Sequence, residues 1–186
     1  MNRIDFLYKV KNLLPPNPVC LEVGVLSGEF SSMINEILVP SKLHLIDPWD
    51  CGSDKSSKIT HYDETLNHSS TAYSRLEEYE LVQSKFQNEI SSGIISLHKG
   101  FSYDFSNYFD NFYFDFIYID ACHLYDCVKS DLEIFFPTLK QKGLMCGHDY
   151  FHHSNFGVVE AVDEFCNAKN FNLLFKSNEN DWATQS

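Results

Sequence analysis

The sequence predicts an α/β fold, a doubly wound and mostly parallel seven-stranded sheet with an antiparallel hairpin at its C-terminal end. Short apolar runs alternate along the chain with segments whose apolar residues recur at helical spacing, the pattern of strand–helix–strand units. The first five runs each end in glycine or polar residues, as strands do at the ligand-binding edge of such sheets. Two short segments, residues 171–175 and one around Trp182, predict the closing hairpin.

The elements can be assigned in chain order from apolar periodicity and from glycine and proline stops. An N-terminal helix ends at Pro15–Pro16, and a first strand and helix follow up to Pro40. Later strands are predicted at residues 43–47, 94–98, 114–120 and 143–147, and further helices at 76–90, 124–135 and 158–165. Residues 48–72 are polar with little periodicity, so we interpret them as a lid or substrate loop inserted in a single domain of residues 1–186.

Composition limits the classes of partner. The net charge of −12 opposes binding to nucleic acid or to an anionic membrane surface, so a small-molecule substrate is expected and a homo-oligomer stays open. No apolar run approaches the roughly 20 residues that span a bilayer, and no signal peptide is evident. The six cysteines show no C-x-x-C spacing and several fall in apolar elements, which indicates buried thiols in a reducing compartment, the cytoplasm.

The turn after the first strand is the most informative local feature. Glu22 ends the strand, and Gly24 and Gly28 follow before a helical pattern begins. Glycines let a ligand approach the backbone, and a helix start offers free N–H groups. The spacing is not the G-x-G-x-x-G of dinucleotide sites, and the acid indicates a ligand with hydroxyls or a cation. Asp47 ends the second strand about 20 residues on, where a ribose-binding carboxylate belongs.

A second group of polar side chains follows strands four and five. Asp120 ends the fourth strand and His148–Asp149 follow the fifth, so these side chains are expected to meet at one sheet edge. They could bind Mg²⁺ or Mn²⁺, or act with His123 in metal-free acid–base catalysis. At least one of Asp120, His123, His148 and Asp149 is expected to be catalytic. The loop residues His152 and His153 are expected to line the substrate entrance.

One motif points elsewhere. Tyr125-x-x-x-Lys129 matches the tyrosine–lysine pair of short-chain dehydrogenases, which would imply a nicotinamide cofactor. Those enzymes also place a serine at the end of the preceding strand, where this chain has Asp120. The match is therefore incomplete.

Taken together, the motifs resemble those of class I S-adenosylmethionine-dependent methyltransferases, in the small-molecule O-methyltransferase branch that includes macrocin-type and related sugar methyltransferases. The resemblance is carried by residues 22–28, 46–49, 114–125, 142–150 and 157–165, and it covers nearly the whole chain. It implies S-adenosylmethionine as cofactor and O-methylation of a sugar or other small hydroxyl compound.

The resemblance also implies roles for single residues. The implied cofactor-binding residues are Glu22, Gly24 and Gly28 around the methionine and ribose, Asp47 on the ribose hydroxyls, Trp49, Phe101 and Ser102 near the adenine, and Asp120 at the methyl-transfer site. In metal-dependent relatives the fourth-strand aspartate and an acidic pair after strand five bind Mg²⁺. The matching residues here are Asp120, His148 and Asp149, with a histidine in place of the first acid of the pair.

Two other hypotheses stay open at this point. The chain could be a non-catalytic S-adenosylmethionine-binding module that partners another enzyme, or an NAD-dependent oxidoreductase. Titration with S-adenosylhomocysteine and NAD separates the oxidoreductase from the other two.

Overall fold

The computed structural model describes residues 1–49 and 75–186, so most of the predicted lid, from residue 50 on, lies outside the described residues. The helices are α1 (Arg3–Lys11), α2 (Glu29–Leu38), α3 (Arg75–Lys85), α4 (Gln87–Ser91), α5 (Tyr125–Phe135) and α6 (Val158–Lys169). The strands are β1 (Val19–Val23), β2 (Lys42–Asp47), β3 (Ile95–Lys99), β4 (Phe114–Ile119), β5 (Leu139–Gly147), β6 (Leu173–Lys176) and β7 (Trp182–Gln185).

The strands form one seven-stranded sheet in the order β3-β2-β1-β4-β5-β7-β6. The first five strands are parallel, and β7 pairs antiparallel with both β5 and β6. The predicted fold class, including the C-terminal hairpin, is therefore confirmed. Because β1 and β4 are neighbours, with Glu22 opposite Tyr118, the ends of these two strands place Glu22 and Asp120 beside the same opening.

Alternate residues of each buried strand pack into two different apolar cores, as the period of two along a strand requires. On β1, Cys20 joins a core with α1, α2 and α3, whereas Leu21 and Val23 join a core with α5 and α6. β4 is buried along its whole length, which explains its nearly unbroken apolar sequence. Two helical layers thus cover the sheet and leave its carboxyl edge for a ligand.

Two predicted elements differ from the structure. The single helix expected over residues 76–90 is two helices, α3 and α4, broken at Phe86. Phe86 packs beneath Gly28, where a Cβ atom would lie 3.0 Å from its ring, and this tertiary contact overrides helical periodicity. β5 begins at Leu139, four residues before the predicted strand. Within the described ranges, no helix combines the length and apolarity needed to cross a membrane.

Candidate active site

A cavity of about 640 Å³ opens at the carboxyl edge of the sheet. This volume lies in the range of pockets that hold small molecules and cofactors. The predicted site residues in its wall are Glu22, Gly24, Asp47, Phe101, Ser102, Asp120, His123, His148 and Asp149. The structure therefore brings the four predicted catalytic side chains and most of the predicted cofactor residues together around one space.

Glu22 lies at the floor of this cavity and is almost fully buried. The hydroxyl of Ser31, in the first turn of α2, donates a hydrogen bond of 2.5 Å to its Oε2. Burial raises the pKa of Glu22 to about 8, against the lowering effect of Ser31. The carboxyl is consequently mostly protonated at pH 7, and a cation beside it would favour its ionisation.

The backbone conformation and the close packing at Gly24 require a glycine there, independently of any ligand. Its φ is +90°, and a Cβ atom there would lie 2.0 Å from the backbone oxygen of Asp120. Gly24 also borders the cavity, so this contact with the end of β4 adds a structural role to the ligand approach predicted for it. The close contact holds the turn after β1 against the loop that carries Asp120.

Gly28 differs from Gly24 in its surroundings. It caps α2 with a φ of +75° and contacts Val82 and Phe86 of the neighbouring helical segment. It is absent from the cavity wall that the described residues form. The structure thus shows a packing role behind the turn, and the place of Gly28 around the cofactor stays a prediction.

Asp47 fixes the glycine turn from the end of β2. Its Oδ2 accepts hydrogen bonds from the backbone N–H groups of Val25 and Leu26, at 2.8 and 3.0 Å, and its Oδ1 accepts one from Trp49. The carboxylate also borders the cavity, where it can receive hydroxyl donors. Asp47 thus has a scaffold role that the sequence did not reveal, beside the ribose contact predicted for it.

Trp49 does not border the cavity. Its indole is fully buried, its Nε1 donates to the carbonyl of Leu26 at 2.8 Å, and its ring packs on Tyr79 with centroids 5.0 Å apart. The expectation that this ring lies against the adenine is corrected, since the ring completes the core beneath the turn.

Phe101 and Ser102 follow β3 and form the opposite wall of the cavity. The ring of Phe101 is stacked with Tyr103, centroids 5.2 Å apart and planes 9° apart, which makes an aromatic surface suited to a planar ligand. Ser102 forms a hydrogen bond with Asp131 of α5. Burial raises the pKa of Asp131 to about 7, so a second buried acid borders the cavity at this end.

Asp120 is held by an arginine from the other end of the chain. The Nη2 atom of Arg3 lies 2.9 Å from Asp120 Oδ2 and donates to Tyr118 at 2.8 Å, while its Nε donates to Asp181 at 3.1 Å. Burial raises the pKa of Asp120, and the charges of His148 and Arg3 oppose that rise. Arg3 thus fixes the orientation of the carboxylate that borders the predicted methyl-transfer site.

Asp149 joins two imidazoles at the edge of the cavity. Its Oδ2 lies 2.8 Å from Nε2 of His123 and 3.3 Å from Nδ1 of His148. Burial lowers the pKa of each histidine, but the hydrogen bond that each donates to Asp149 and the charges of Asp149 and Asp120 together outweigh it, so both pKa values lie above the ordinary value. Burial alone would raise the pKa of Asp149, yet its two imidazole contacts hold it well below the usual range.

The two imidazoles differ in what else they contact. His148 Nε2 is bound to the carbonyl of Glu179 at 2.7 Å, so both of its nitrogens face protein atoms. The ring of His123 stacks on Phe156, and its Nδ1 has no protein partner in the described part of the chain. His123 with Asp149 therefore has the form of a general base oriented by a carboxylate.

The acids and the histidine at this edge of the cavity also form a candidate metal site. Atoms of Asp120, His123 and Asp149 lie within 4.8 Å of one another, so the triplet contains His123 in place of the predicted His148. The donors are not free, because Arg3 occupies Asp120 and His123 is hydrogen-bonded to Asp149. Mg²⁺ also prefers an all-oxygen shell. The residues as arranged do not fit Mg²⁺ well.

The remaining predicted residues lie away from the cavity. Tyr125 and Lys129 both bind Glu164 of α6 at the surface, with Lys129 Nζ 2.7 Å from Glu164 Oε1. This arrangement joins α5 to α6 and explains the dehydrogenase-like spacing without a catalytic role. His152 is exposed, and neither it nor His153 borders the cavity, so their expected place at the entrance is not supported by the described residues.

Sequence reasoning gave no role to several residues of the cavity wall, among them Arg3, Cys122, Cys127 and Asp131. The last three follow β4, within the loop or α5, and helix-face periodicity assigned them no role. Cys122 and Cys127 are only half buried, unlike the buried thiols that the sequence predicts in apolar elements. One sequence signal was available for Arg3, because it is one of only two arginines in the chain.

The comparisons with known proteins agree with this geometry. A family model described as "Methyltransferase domain" matches residues 21–150. Among solved structures, the O-methyltransferase NovP has a TM-score of 0.69 and 16% identity, over 98% of this chain and 78% of that one. An O-methyltransferase from Bacillus cereus in complex with SAH has a TM-score of 0.62 and 14% identity, over 99% and 80%.

The fold does not select the substrate. The tRNA methyltransferase TrmK from Bacillus subtilis also matches, with a TM-score of 0.58 and 11% identity over 96% of this chain and 63% of that one. A sequence comparison with functionally curated proteins finds no match.

The family model covers well over half of the chain, including the ends of β1, β2 and β4 that build the cavity. The chain therefore belongs to the methyltransferase-domain family, whose members carry out S-adenosylmethionine-dependent methylation.

Proposed function

We propose that this protein transfers a methyl group from S-adenosylmethionine to a hydroxyl of a sugar or another small molecule. The observation that carries the proposal is the His123–Asp149 pair, whose atoms lie 2.8 Å apart beside the cofactor-sized cavity. A hydroxyl acceptor must lose its proton during transfer, and an oriented imidazole can accept it. NovP and the Bacillus cereus protein, which are both O-methyltransferases, support the same class of acceptor.

In this proposal, the cavity wall supplies a contact for each part of the cofactor. Glu22 would lie near the methionine part, Asp47 would accept the ribose hydroxyls, and the Phe101 ring would contact the adenine. When bound, S-adenosylmethionine supplies a methyl group on a positively charged sulfur. The protein's own contribution is to align the acceptor with that methyl group and to remove one proton.

His123 is proposed as the base and Asp149 as the group that orients it. Asp149 holds Nε2 of His123, which leaves Nδ1 to take the acceptor's proton. Asp120, fixed by Arg3, would orient the acceptor hydroxyl from the end of β4. No step is assigned to a metal, because the paired donors of Asp120, His123 and Asp149 do not fit Mg²⁺ well.

The first test is a screen of sugars and small hydroxyl compounds with S-adenosylmethionine, measuring release of S-adenosylhomocysteine. His123→Gln should lower turnover at least about 100-fold, the scale of a lost general base, while His153→Gln, outside the cavity wall, should leave it unchanged. Turnover should rise with pH through the pKa of His123, which lies above its ordinary value, since only the neutral imidazole accepts a proton.

EDTA should leave turnover unchanged. Loss of turnover with EDTA and recovery with Mg²⁺ would replace the metal-free base with a metal centre. Tight binding of S-adenosylhomocysteine without turnover of any acceptor would favour the non-catalytic binding module. Absence of binding, or preference for NAD, would reject the proposal.

A further inference from the structure

Arg3 extends from α1 into the wall of the cavity, although α1 lies outside the residues that match the family model. Its side chain is 24% exposed, and the guanidinium carbon lies 4.2 Å from the centroid of the Phe30 ring. The ring fixes the plane of the guanidinium from one side. Three acceptors, on Asp120, Asp181 and Tyr118, fix its orientation within that plane. Arg3 is therefore a rigid part of the site.

The arginine retains unused donors. Its hydrogen bonds start from Nε and Nη2, and no described residue accepts from Nη1. A guanidinium has five N–H groups, so the two on Nη1 remain for a ligand. Each of them can donate a charge-assisted hydrogen bond to an anionic oxygen, such as an oxygen of a carboxylate.

The charges around Arg3 limit which carboxylate compounds can bind to it. Asp120 and Asp181 place two negative charges against the single positive charge of Arg3, and Glu22 nearby is a further potential anion. A simple anion would be repelled by this surplus. A group that carries a cation next to its carboxylate, as an α-amino acid does, would bind both Arg3 and the acids.

We propose that Arg3 binds the carboxylate of the methionine part of the cofactor. The inference rests on the proposed function, because it takes S-adenosylmethionine as the ligand. It assigns this contact to a residue of α1, outside the segment that matches the family model. The competing explanation is that Arg3 only attaches α1 to the sheet.

Calorimetric titration with two ligands separates these explanations. S-adenosylhomocysteine carries the amino-acid group, and 5′-methylthioadenosine has the same nucleoside and sulfur without it. Arg3→Gln should weaken S-adenosylhomocysteine binding at least about tenfold, the scale of one lost charge-assisted hydrogen bond, and should change 5′-methylthioadenosine binding less than about twofold. Lys9→Gln removes an exposed cation from the same helix and should change neither affinity.

An equal loss for both ligands, or no loss for either, would overturn the inference. If Arg3→Gln does not fold, as judged by circular dichroism, Arg3→Lys replaces it. Lysine keeps the charge but lacks the planar, fixed N–H groups of the guanidinium, so the ratio of the two affinities should fall at least about threefold, and an unchanged ratio would again overturn the inference. Failure of the unchanged protein to bind S-adenosylhomocysteine would instead reject the proposed function.

Discussion

At the scale of single residues, the site is a set of carboxyl groups that differ in what they contact. Glu22 is buried with one hydroxyl partner, Asp47 accepts three backbone N–H groups, and Asp149 lies between two imidazoles. These surroundings set the charge and the availability of each acid. Carboxyl groups at or just after the ends of different strands consequently have different roles in the same cavity.

Asp47 offers a direct test of the cofactor site. Asp47→Ala should weaken S-adenosylhomocysteine binding by about 1.5–3 kcal/mol, the scale of a lost hydrogen bond to a charged group. It should also loosen the turn at Val25 and Leu26, since both N–H groups lose their acceptor. Calorimetric titration measures the first effect. Asp110→Ala, at an exposed loop position, is the control, and equal affinities for the two variants would remove Asp47 from the site.

At the scale of elements, the junction between the β1–α2 turn and the β4–α5 loop determines the shape of the cavity. Gly24 and the backbone of Asp120 are in contact there, so the cofactor side and the acceptor side of the site are built against each other. A shift of one loop would therefore move the other.

Gly24→Ala should destabilise the protein by more than its backbone strain alone. Gly93 supplies a matched control, because its φ of +79° is similar and a Cβ atom there meets nothing within 4 Å. Gly93→Ala should cost about 1–2 kcal/mol, the penalty of the left-handed conformation. Gly24→Ala should cost at least about 1 kcal/mol more, because of overpacking against Asp120. Urea unfolding measures both variants, and equal costs would show that the junction can relax.

The same elements show how far the sequence can predict the structure. Strand ends such as Asp47 and Asp120 were predicted to reach the cavity, because parallel strands align their carboxyl edges. Arg3 could not be placed, since its contacts join residues 3, 120 and 181, and no local pattern relates positions so distant in the chain. The break at Phe86 has the same origin, a tertiary contact that periodicity does not encode.

At the scale of the whole molecule, the sheet also contains a histidine pair away from the cavity. His44 on β2 lies 2.8 Å from His98 on β3, between their Nδ1 and Nε2 atoms, and its other nitrogen meets the Tyr113 hydroxyl at 3.2 Å. Burial, together with the nearby His98 and Lys42, lowers the pKa of His44 to about 3. His44 is therefore neutral in the folded protein under ordinary conditions.

Acid should consequently weaken the fold through His44. The unfolded chain binds a proton at His44 near pH 6.5, whereas the folded protein resists it, so stability falls as pH drops below 6.5. Between pH 7 and pH 5 the loss should be about 2 kcal/mol. His123 and His148 act in the opposite direction, because their pKa values are raised in the folded protein. The contribution of His44 must therefore be measured by comparing the pH dependence of stability between variants.

Urea unfolding at pH 7 and pH 5 gives that comparison. His44→Phe should lose less stability between the two pH values than the unchanged protein does. His152→Gln, at an exposed position, should behave like the unchanged protein. An identical pH dependence in all three proteins would mean that His44 can take up a proton without disturbing the sheet.

The burial of Glu22 also bears on how the protein would release its product. S-adenosylmethionine has a positive sulfur and S-adenosylhomocysteine does not, so an ionised carboxyl at the cavity floor favours the first over the second, and a neutral one discriminates less. Because the pKa of Glu22 is about 8, this discrimination should grow from neutral to alkaline solution. Product inhibition would then be strongest in mildly acidic solution and would decline as the pH rises.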